Sequence, residues 1–244
     1  MHKDSSLIDS FIKENRFKLS SEELEIVKSW KKEVKSKFLV MKHGDYGTIF
    51  FEQSNNPKAY AVLSLIDDLE DMIPALYLPV MLETTLLPFK GKIIYNGLFV
   101  PYNIHFGKSI RNSFEMSFRE SKSKYGILTS LEEPIIEKSD ADEELMKTYA
   151  RNRDTCFNYE KEINQLLKKN PSLWKVYYQT LGKLEVRRLS KKLSELGVNS
   201  GYFAIFDDTV IASGQTEREL KEAITKVLPV EKQEYVYVFK YNGK

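Results

Sequence analysis

The sequence predicts an α+β fold: N-terminal helices with an antiparallel curled sheet or small barrel and a helix, then a helical hairpin and a small ββαβ unit. The hydrophobic period changes from helical to strand-like near Phe38 and returns to helical after Gly107. The strand candidates between these residues are joined by connections too short for crossover helices. The predicted domains are a helical pair with an antiparallel β domain, an acidic linker with the helical hairpin, and the ββαβ unit, over residues 1–130, 131–198 and 199–244.

Two helices are predicted at the start of the chain. In the first, within residues 4–17, apolar side chains recur at helical spacing. The second begins at a capping box, in which the Ser20 hydroxyl accepts a hydrogen bond from the amide of Glu23 and the Glu23 carboxylate reaches back. The apolar positions assigned to these helices are Leu7, Ile8, Phe11 and Ile12, then Leu24, Val27, Val34 and Phe38, with Trp30 beside the second stripe.

Strands follow, separated by turns that contain glycine or proline. The first three are predicted to form an antiparallel meander, and their ranges are Phe38–Met41, Thr48–Phe51 and Ala59–Ile66. Two further strand candidates, Met81–Leu87 and Lys92–Val100, flank the turn signal Lys90–Gly91. Asn96–Gly97 is a strong turn signal that either ends the second of these strands or forms a bulge within it.

A basic amphipathic helix is predicted to follow Gly107 and to end at Gly126. Its apolar face and its basic face carry, respectively, Ile110, Phe114, Phe118 and Tyr125, and Arg111, Arg119, Lys122 and Lys124. The segment from Leu128 to Asp140 contains Pro134 and many acidic residues, so we place the boundary of the N-terminal domain there.

The C-terminal part is predicted to start with a helical hairpin. A seam of apolar residues three and four apart, interrupted by two charged positions, runs from Met146 to Leu167. Asn170–Pro171 supplies an N-cap and a first-turn proline for the second helix, which ends at Gly197. The ββαβ unit then has strands Tyr202–Phe206, Thr209–Ala212 and Tyr235–Phe239 and a helix that begins at the capping box Thr216–Glu219.

Two segments resemble known families. LLPFKGKIIYNGLF, followed by NIHFG and YGILTSLEE, resembles the signature of a family of uncharacterised prokaryotic, partly archaeal, proteins that usually have Asp-Gly where this chain has Asn96–Gly97. That resemblance extends from about Phe17 to Leu131. The tail, GYFAIFDDTVIASGQTERELKEAI, resembles a small ββαβ domain of unknown function. Neither family implies a catalytic or binding residue, so the resemblance bears on the fold alone.

Composition and charge exclude some classes of protein. The net charge of +2 over 244 residues gives no global signal for binding polyanions. The single cysteine, Cys156, excludes an internal disulfide and suits a reducing compartment. The first residues hold no apolar run of signal-peptide length, and no stretch approaches the ~18 apolar residues of a membrane helix. We therefore expect a cytoplasmic protein with no membrane partner.

No catalytic, cofactor or metal motif stands out. The histidines are not at metal-ligand spacing, and neither a nucleotide-binding glycine loop nor a G-x-S-x-G elbow is present. We therefore expect a non-enzymatic binding or regulatory module, directed at protein or single-stranded nucleic acid, with no cofactor and no metal. Two alternatives stay open. One is a hydrolase or transferase with a site built from scattered carboxylates and lysines. The other is a structural subunit of a homo-oligomer, favoured by the aromatic-rich edges Phe99–Phe106 and Tyr235–Tyr241.

One constellation of residues has a mechanism attached to it. Bases and aromatic residues interleave in the second half of the N-terminal domain, and small β-barrels bind single strands by stacking bases on aromatic rings beside a basic groove. The candidate nucleic-acid-binding residues are Lys90, Lys92, Tyr95, Tyr102, Arg111, Arg119 and Lys122. In the alternative interpretation, the aromatic side chains belong to the core and the lysines only solvate its rim.

Overall fold

A computed structural model describes residues 6–243 and confirms the α+β class. The chain forms two compact units, residues 1–138 (unit 1) and 139–244 (unit 2), and the division falls inside the segment 128–140. Unit 1 holds a six-stranded mixed sheet, and unit 2 holds a three-stranded antiparallel sheet. The helical segment and the ββαβ segment that follow residue 138 therefore share one compact unit.

Unit 1 is built around strands that close into a ring. Its elements are α1 (Ser6–Glu14), α2 (Ser21–Ser29), β1 (Val34–Lys42), β2 (Thr48–Glu52), β3 (Ala59–Leu63), α3 (Leu69–Met72), β4 (Val80–Phe89), β5 (Lys92–Pro101), α4 (Lys108–Tyr125) and β6 (Ile127–Leu128). β1 pairs with β2 on one side and β4 on the other, β2 pairs with β3, and β5 joins β4 to β3. The expectation of an antiparallel sheet is wrong in one part, because β3 runs parallel to β5 and β6. The predicted meander of the first three strands is confirmed, and the ring is a small barrel with the strand order of OB-type barrels.

The barrel has a filled interior and one covered outer face. Phe38, Phe50 and Val62 are completely buried inside it, and α3 contributes Leu69 to the same cluster. On the outside, α4 covers β2 and β3, where the Phe118 ring meets Phe51 edge-on with 5.7 Å between centroids. Alternate residues of each strand point to opposite faces, so one set fills the barrel and the other anchors the helix.

Three local predictions in unit 1 need correction. The capping box of α2 is present, but the helix ends at Ser29, and Val34 and Phe38 belong to β1 instead. Strand pairing with β4 outweighs the helical spacing of those two residues, because local propensity is a weak prior. Ile110 lies on α4 but is 49% exposed, whereas it was expected on the buried face. Asn96–Gly97 lies within β5 at a register shift, which resolves the two alternatives in favour of a bulge.

Unit 2 confirms the ββαβ order, with strands in the spatial order β8–β7–β9. Its elements are α5 (Ala141–Tyr149), α6 (Arg153–Asn158), α7 (Glu160–Lys169), α8 (Leu173–Glu195), β7 (Ser200–Phe206), β8 (Thr209–Gly214), α9 (Glu217–Val227), α10 (Val230–Gln233) and β9 (Tyr237–Asn242). The single long helix implied by the seam from Met146 to Leu167 is wrong. Three short helices replace it, because Asn152 caps a new helix by accepting a hydrogen bond from the Thr155 amide.

The long helix α8 organises unit 2. A stripe that includes Val186, Leu189 and Leu193 packs on the sheet beside Phe239 and Tyr241. These positions are three and four residues apart, so they share one face of the helix. The two flanks on either side of that stripe are therefore free to meet other parts of the unit.

The ends of α8 differ in how well they were predicted. α8 begins at Leu173, two residues later than predicted, although the Asn170 side chain accepts a hydrogen bond from the Ser172 amide, as an N-cap side chain does. Gly197 ends the helix as predicted, with a positive φ of 72° that a side chain would disfavour.

Candidate ligand-binding site

The seven candidate nucleic-acid-binding residues are spread over unit 1. Lys90 and Lys92 stand at the β4–β5 turn, where Lys90 pairs with Glu22 at 2.9 Å. Tyr102 follows the far end of β5, ten residues from Lys92, which corresponds to roughly 30 Å of extended strand. The turn and Tyr102 are therefore at opposite ends of the hairpin.

The two candidate tyrosines face different environments. Tyr95 is half-buried against the barrel interior, where its ring lies 6.1 Å from that of Phe99, so part of the ring is engaged by the core. The Tyr102 ring points outward and carries the Lys37 ammonium 5.3 Å from its centroid, while its hydroxyl donates to Glu83 at 3.2 Å. One aromatic residue of the predicted pair thus serves the core.

The three basic candidates on α4 belong to another surface. Arg111 donates from Nε to the carbonyl of Phe106 at 2.9 Å, and Arg119 pairs with Glu115 at 2.7 Å. Lys122 is exposed near the end of the helix. The seven residues thus occupy both ends of the β4–β5 hairpin and the helix α4. Nucleic-acid binding stays a prediction.

The histidine beside the β1–β2 turn has a structural role. The His43 ring lies 2.9 Å from the Thr48 hydroxyl and 2.8 Å from the Ile73 carbonyl, so it ties the β1–β2 turn to the end of α3. Among residues 6–243, no group of three or more His, Cys, Asp or Glu side chains is placed to hold a metal ion. No helix in the same range is both long and apolar enough to cross a membrane.

A concavity lined by both titratable and aromatic side chains lies in unit 2 on one flank of α8. A cavity of about 560 Å³ continues into a second of about 250 Å³, and Cys156, Glu160, Tyr177 and Asp207 line both. We call this combined cavity the α8 cleft. Its remaining lining residues are Arg153, Phe157, Leu181, Leu184, Glu185 and Asp208 in the larger part, and Ile163, Asn164, Leu167, Trp174 and Tyr178 in the smaller.

Four elements supply the lining of the α8 cleft. Spacings of three and four along α8 place Trp174, Tyr177, Leu181 and Leu184 on one flank. Helices α6 and α7 form the facing wall, and the two-residue turn between β7 and β8 closes the end. Asp207 occupies that turn with a φ of +60°, a conformation that aspartate tolerates better than most residues.

A buried carboxylate and two arginines form the floor. The Glu185 side chain is only 6% exposed and accepts hydrogen bonds from Arg153 at 2.6 Å and from Arg188 at 2.5 Å. Burial acts to raise the pKa of Glu185, but the hydrogen bonds from the two guanidinium groups outweigh it and hold the pKa below its usual value. The two arginines are therefore already engaged by Glu185.

Two other carboxylates in the α8 cleft are unengaged. Within the described part of the chain, neither Asp207 nor Glu160 accepts a side-chain hydrogen bond or forms an ion pair. Burial raises the pKa of Asp207, and the nearby charges of Asp208 and Glu185 raise it further against the opposing effect of Arg153.

Aromatic rings line the opposite side. Trp174 stacks on Tyr178 with 5.5 Å between centroids, and Tyr178 stacks on Phe206 at 4.8 Å. Burial, first of all, raises the pKa of Tyr177 to about 12, so its hydroxyl stays protonated at neutral pH. Burial likewise raises the pKa of the Cys156 thiol. The α8 cleft thus combines rings, free carboxylates and a neutral thiol.

Sequence reasoning did not identify this site. In the sequence, Cys156 and Glu160 fall within the seam from Met146 to Leu167, and Asp207 and Asp208 fall between the predicted strands Tyr202–Phe206 and Thr209–Ala212. The available signal was the cluster of aromatic residues around Trp174, which is denser than one packing stripe requires. No protein family, curated protein or solved structure matches the chain.

Proposed function

We propose that this protein is a ligand-binding module and that the α8 cleft takes an organic cation, such as an alkylammonium group. The carrying observation is that Asp207 and Glu160 lack partners beside the Tyr177 ring. Four carboxylates (Glu160, Glu185, Asp207 and Asp208) against two guanidinium groups (Arg153 and Arg188) leave two excess negative charges around the cavity.

The lining favours an organic cation over a simple ion. Aromatic faces attract cations through the ring quadrupole, and the gain is about 0.5–2 kcal/mol, largest where water is excluded. The smaller part of the cleft adds Ile163, Leu167 and Trp174, which suit an alkyl chain. A bound ammonium near Asp207 would offset the cost of burying this carboxylate and the repulsion from the charges of Asp208 and Glu185.

Binding is better supported than catalysis. A raised thiol pKa leaves Cys156 mostly protonated and a weak nucleophile. Glu185 is held ionised by its two arginines, so it is a poor proton donor near neutral pH. One observation favours the hydrolase or transferase alternative: Asp207 has a raised pKa in a cleft, as general acids and bases often do.

Fluorescence of Trp174 tests the proposal. The chain has two tryptophans, so Trp30→Phe leaves Trp174 as the only one. Titration with n-butylammonium and n-butyltrimethylammonium should give saturable changes, whereas n-butanol of the same length should not. Asp207→Asn should weaken cation binding about five- to thirtyfold, equivalent to 1–2 kcal/mol.

Asp154→Asn is the matched control, because Asp154 is exposed on α6 and does not line the cleft. This variant should bind the cations like the parent protein. Equal responses to the cations and to butanol, or equal losses in Asp207→Asn and Asp154→Asn, would contradict the proposal.

A further inference from the structure

The second flank of α8 faces an edge of the sheet. β9 pairs with β7 on one side only, so it is an edge strand. The Gly243 amide donates to the Asn199 carbonyl at 2.6 Å, which fixes the phase of the antiparallel ladder. Alternate residues of β9 therefore direct their backbone N–H and C=O groups away from β7, and these are Val238, Lys240 and Asn242.

A groove runs beside this edge. Its volume is about 680 Å³, and its lining residues are Ser190, Lys191, Ser194 and Glu195 from α8 and Lys240, Tyr241 and Asn242 from β9. Helix α8 follows β9, because Gly182 lies against Tyr237 and Leu193 packs in the cluster of Tyr241. The helix thus overhangs the edge and leaves room beneath it for one more strand.

We propose that an extended polypeptide segment with acidic side chains adds to β9 as a fourth strand beneath α8. Backbone groups of the edge would supply the hydrogen bonds, as in other cases of strand addition. The groove itself contains Lys191 and Lys240, and Lys191 lies 3.9 Å from Glu195 in a solvent-exposed pair. Lys183 and Arg187 are exposed on α8 at successive i−4 positions from Lys191, so they extend the basic row beyond the groove. Glu195 is the one acid in the groove lining.

The charges favour an acidic segment over a second copy of this chain. Antiparallel pairing of β9 with β9 of a second copy, about a two-fold axis perpendicular to the sheet, would place both α8 helices on the same side of the joined sheet. Two flanks that carry Lys183, Arg187 and Lys191 would then face each other, and like charges in contact destabilise an interface. An acidic segment meets the same flank with opposite charge.

The other edge of the sheet is a poorer acceptor. β8 also pairs with β7 only, but its register shifts between Ala204 and Ile205. A bulge of this kind twists an edge and discourages further pairing. The β9 edge has a continuous register over Tyr237–Asn242 and lies beside the groove.

Two capped, fluorescein-labelled peptides of eight residues test the inference by fluorescence anisotropy. One alternates threonine with glutamate and the other alternates threonine with lysine. The glutamate peptide should bind about tenfold more tightly than the lysine peptide, with a difference that shrinks at high salt. Equal binding of the two peptides, or tighter binding of the lysine peptide, would overturn the inference.

A matched pair of variants separates the edge from the charge. Lys240→Pro removes the outward N–H without taking a bond from β7, and proline is tolerated at such edge positions. Lys240→Pro should lower the affinity for the glutamate peptide about fivefold more than Lys240→Ala does, because the alanine variant keeps the backbone N–H. Circular dichroism checks that both variants are folded.

Lys191→Glu provides a test that does not depend on proline. This substitution reverses one charge of the groove and does not change the sheet. It should therefore weaken binding of the glutamate peptide and strengthen binding of the lysine peptide. Unchanged binding of both peptides to Lys191→Glu and to Lys240→Pro would refute the site. Sedimentation equilibrium that gives a dimer in the parent protein and a monomer in Lys240→Pro would show that a second copy is the occupant instead.

Discussion

The two flanks of α8 differ although one helix carries both. One flank faces α6, α7 and the β7–β8 turn, and there aromatic rings and unpaired carboxylates enclose the α8 cleft. The other flank overhangs the free edge of β9 and carries lysine, arginine and serine. α8 has 23 residues and is about 34 Å long, whereas the six residues of β9 span about 20 Å. The comparison teaches that the neighbours of a long helix, rather than its own periodicity, decide what each flank is able to bind.

The largest expected effect on stability comes from the contact between α8 and β9, because this contact positions both flanks of the helix. A Cβ at Gly182 would collide with the Tyr237 side chain. Gly182→Ala should therefore destabilise the protein by about 1–3 kcal/mol, although alanine in a helix interior usually stabilises by about 0.5–1 kcal/mol. Chemical denaturation measures the change. Lys183→Ala is the control, because Lys183 is the next residue and is exposed. Its free energy of unfolding should stay within about 0.5 kcal/mol of the parent value.

The next effect should be confined to the cleft flank. Glu185→Gln leaves Arg153 and Arg188 without their shared carboxylate and should cost about 1–3 kcal/mol of stability. Because the pKa of Glu185 is depressed in the folded state, its contribution is present above the unfolded pKa and is lost as the pH falls through the folded pKa. The difference between parent and variant should therefore shrink in acid. A difference that persists at low pH would mean that the ion pairs are not its source.

Asp207 should behave in the opposite way. Its pKa is raised in the folded state, so its charge destabilises the free protein above that pKa. Asp207→Asn should therefore raise the melting temperature at neutral pH, and the gain should vanish as the pH falls and Asp207 becomes protonated. Cation affinity of the parent protein should fall over the same pH window, since protonation removes the attracting charge. A variant that is both less stable and unaltered in cation binding would contradict this assignment.

The smallest effect concerns unit 1. The predicted retention on single-stranded RNA or DNA should be weak, sequence-tolerant and steeply dependent on salt. Arg111→Glu with Arg119→Glu should abolish it without unfolding the protein, because both arginines would otherwise neutralise phosphates. Lys13→Glu with Arg16→Glu in the α1 region makes the same change of charge elsewhere in unit 1 and should retain binding. Absence of retention in the parent protein at low salt would end the prediction.

Much of the fold could be predicted because its signals are local. The capping box at Ser20, the glycine at the end of α8 and the ββαβ order all follow from neighbouring residues. The extent of α2 could not, because it depends on the pairing of Val34 and Phe38 with β4, which is distant in sequence. The break at Asn152 has a local cause, the cap that Asn152 provides for Thr155, but the continuous helical seam obscured it. The bulge at Asn96 shows the limit of local prediction, since the end of a strand and a bulge within it fit the local sequence equally well.

The candidate site was beyond local reasoning for a similar reason. Cys156 and Asp207 stand about fifty residues apart, and each has an ordinary explanation in its own element. Their convergence depends on how α6, α7 and the β7–β8 turn pack against α8. The reverse holds for Tyr95 and Arg111, which are close in sequence but are placed on different surfaces.

The most direct test of the account is a map of backbone amide shifts in two-dimensional NMR during titration with n-butyltrimethylammonium. We predict that the largest changes will occur at Cys156, Glu160, Tyr177 and Asp207, with small changes at Lys191 and Lys240 on the other flank. Asp207→Asn should weaken the response at all four residues together. Changes that are largest beside β9 or in unit 1, or that are no greater than those caused by n-butanol, would contradict the assignment of the α8 cleft as the cation site.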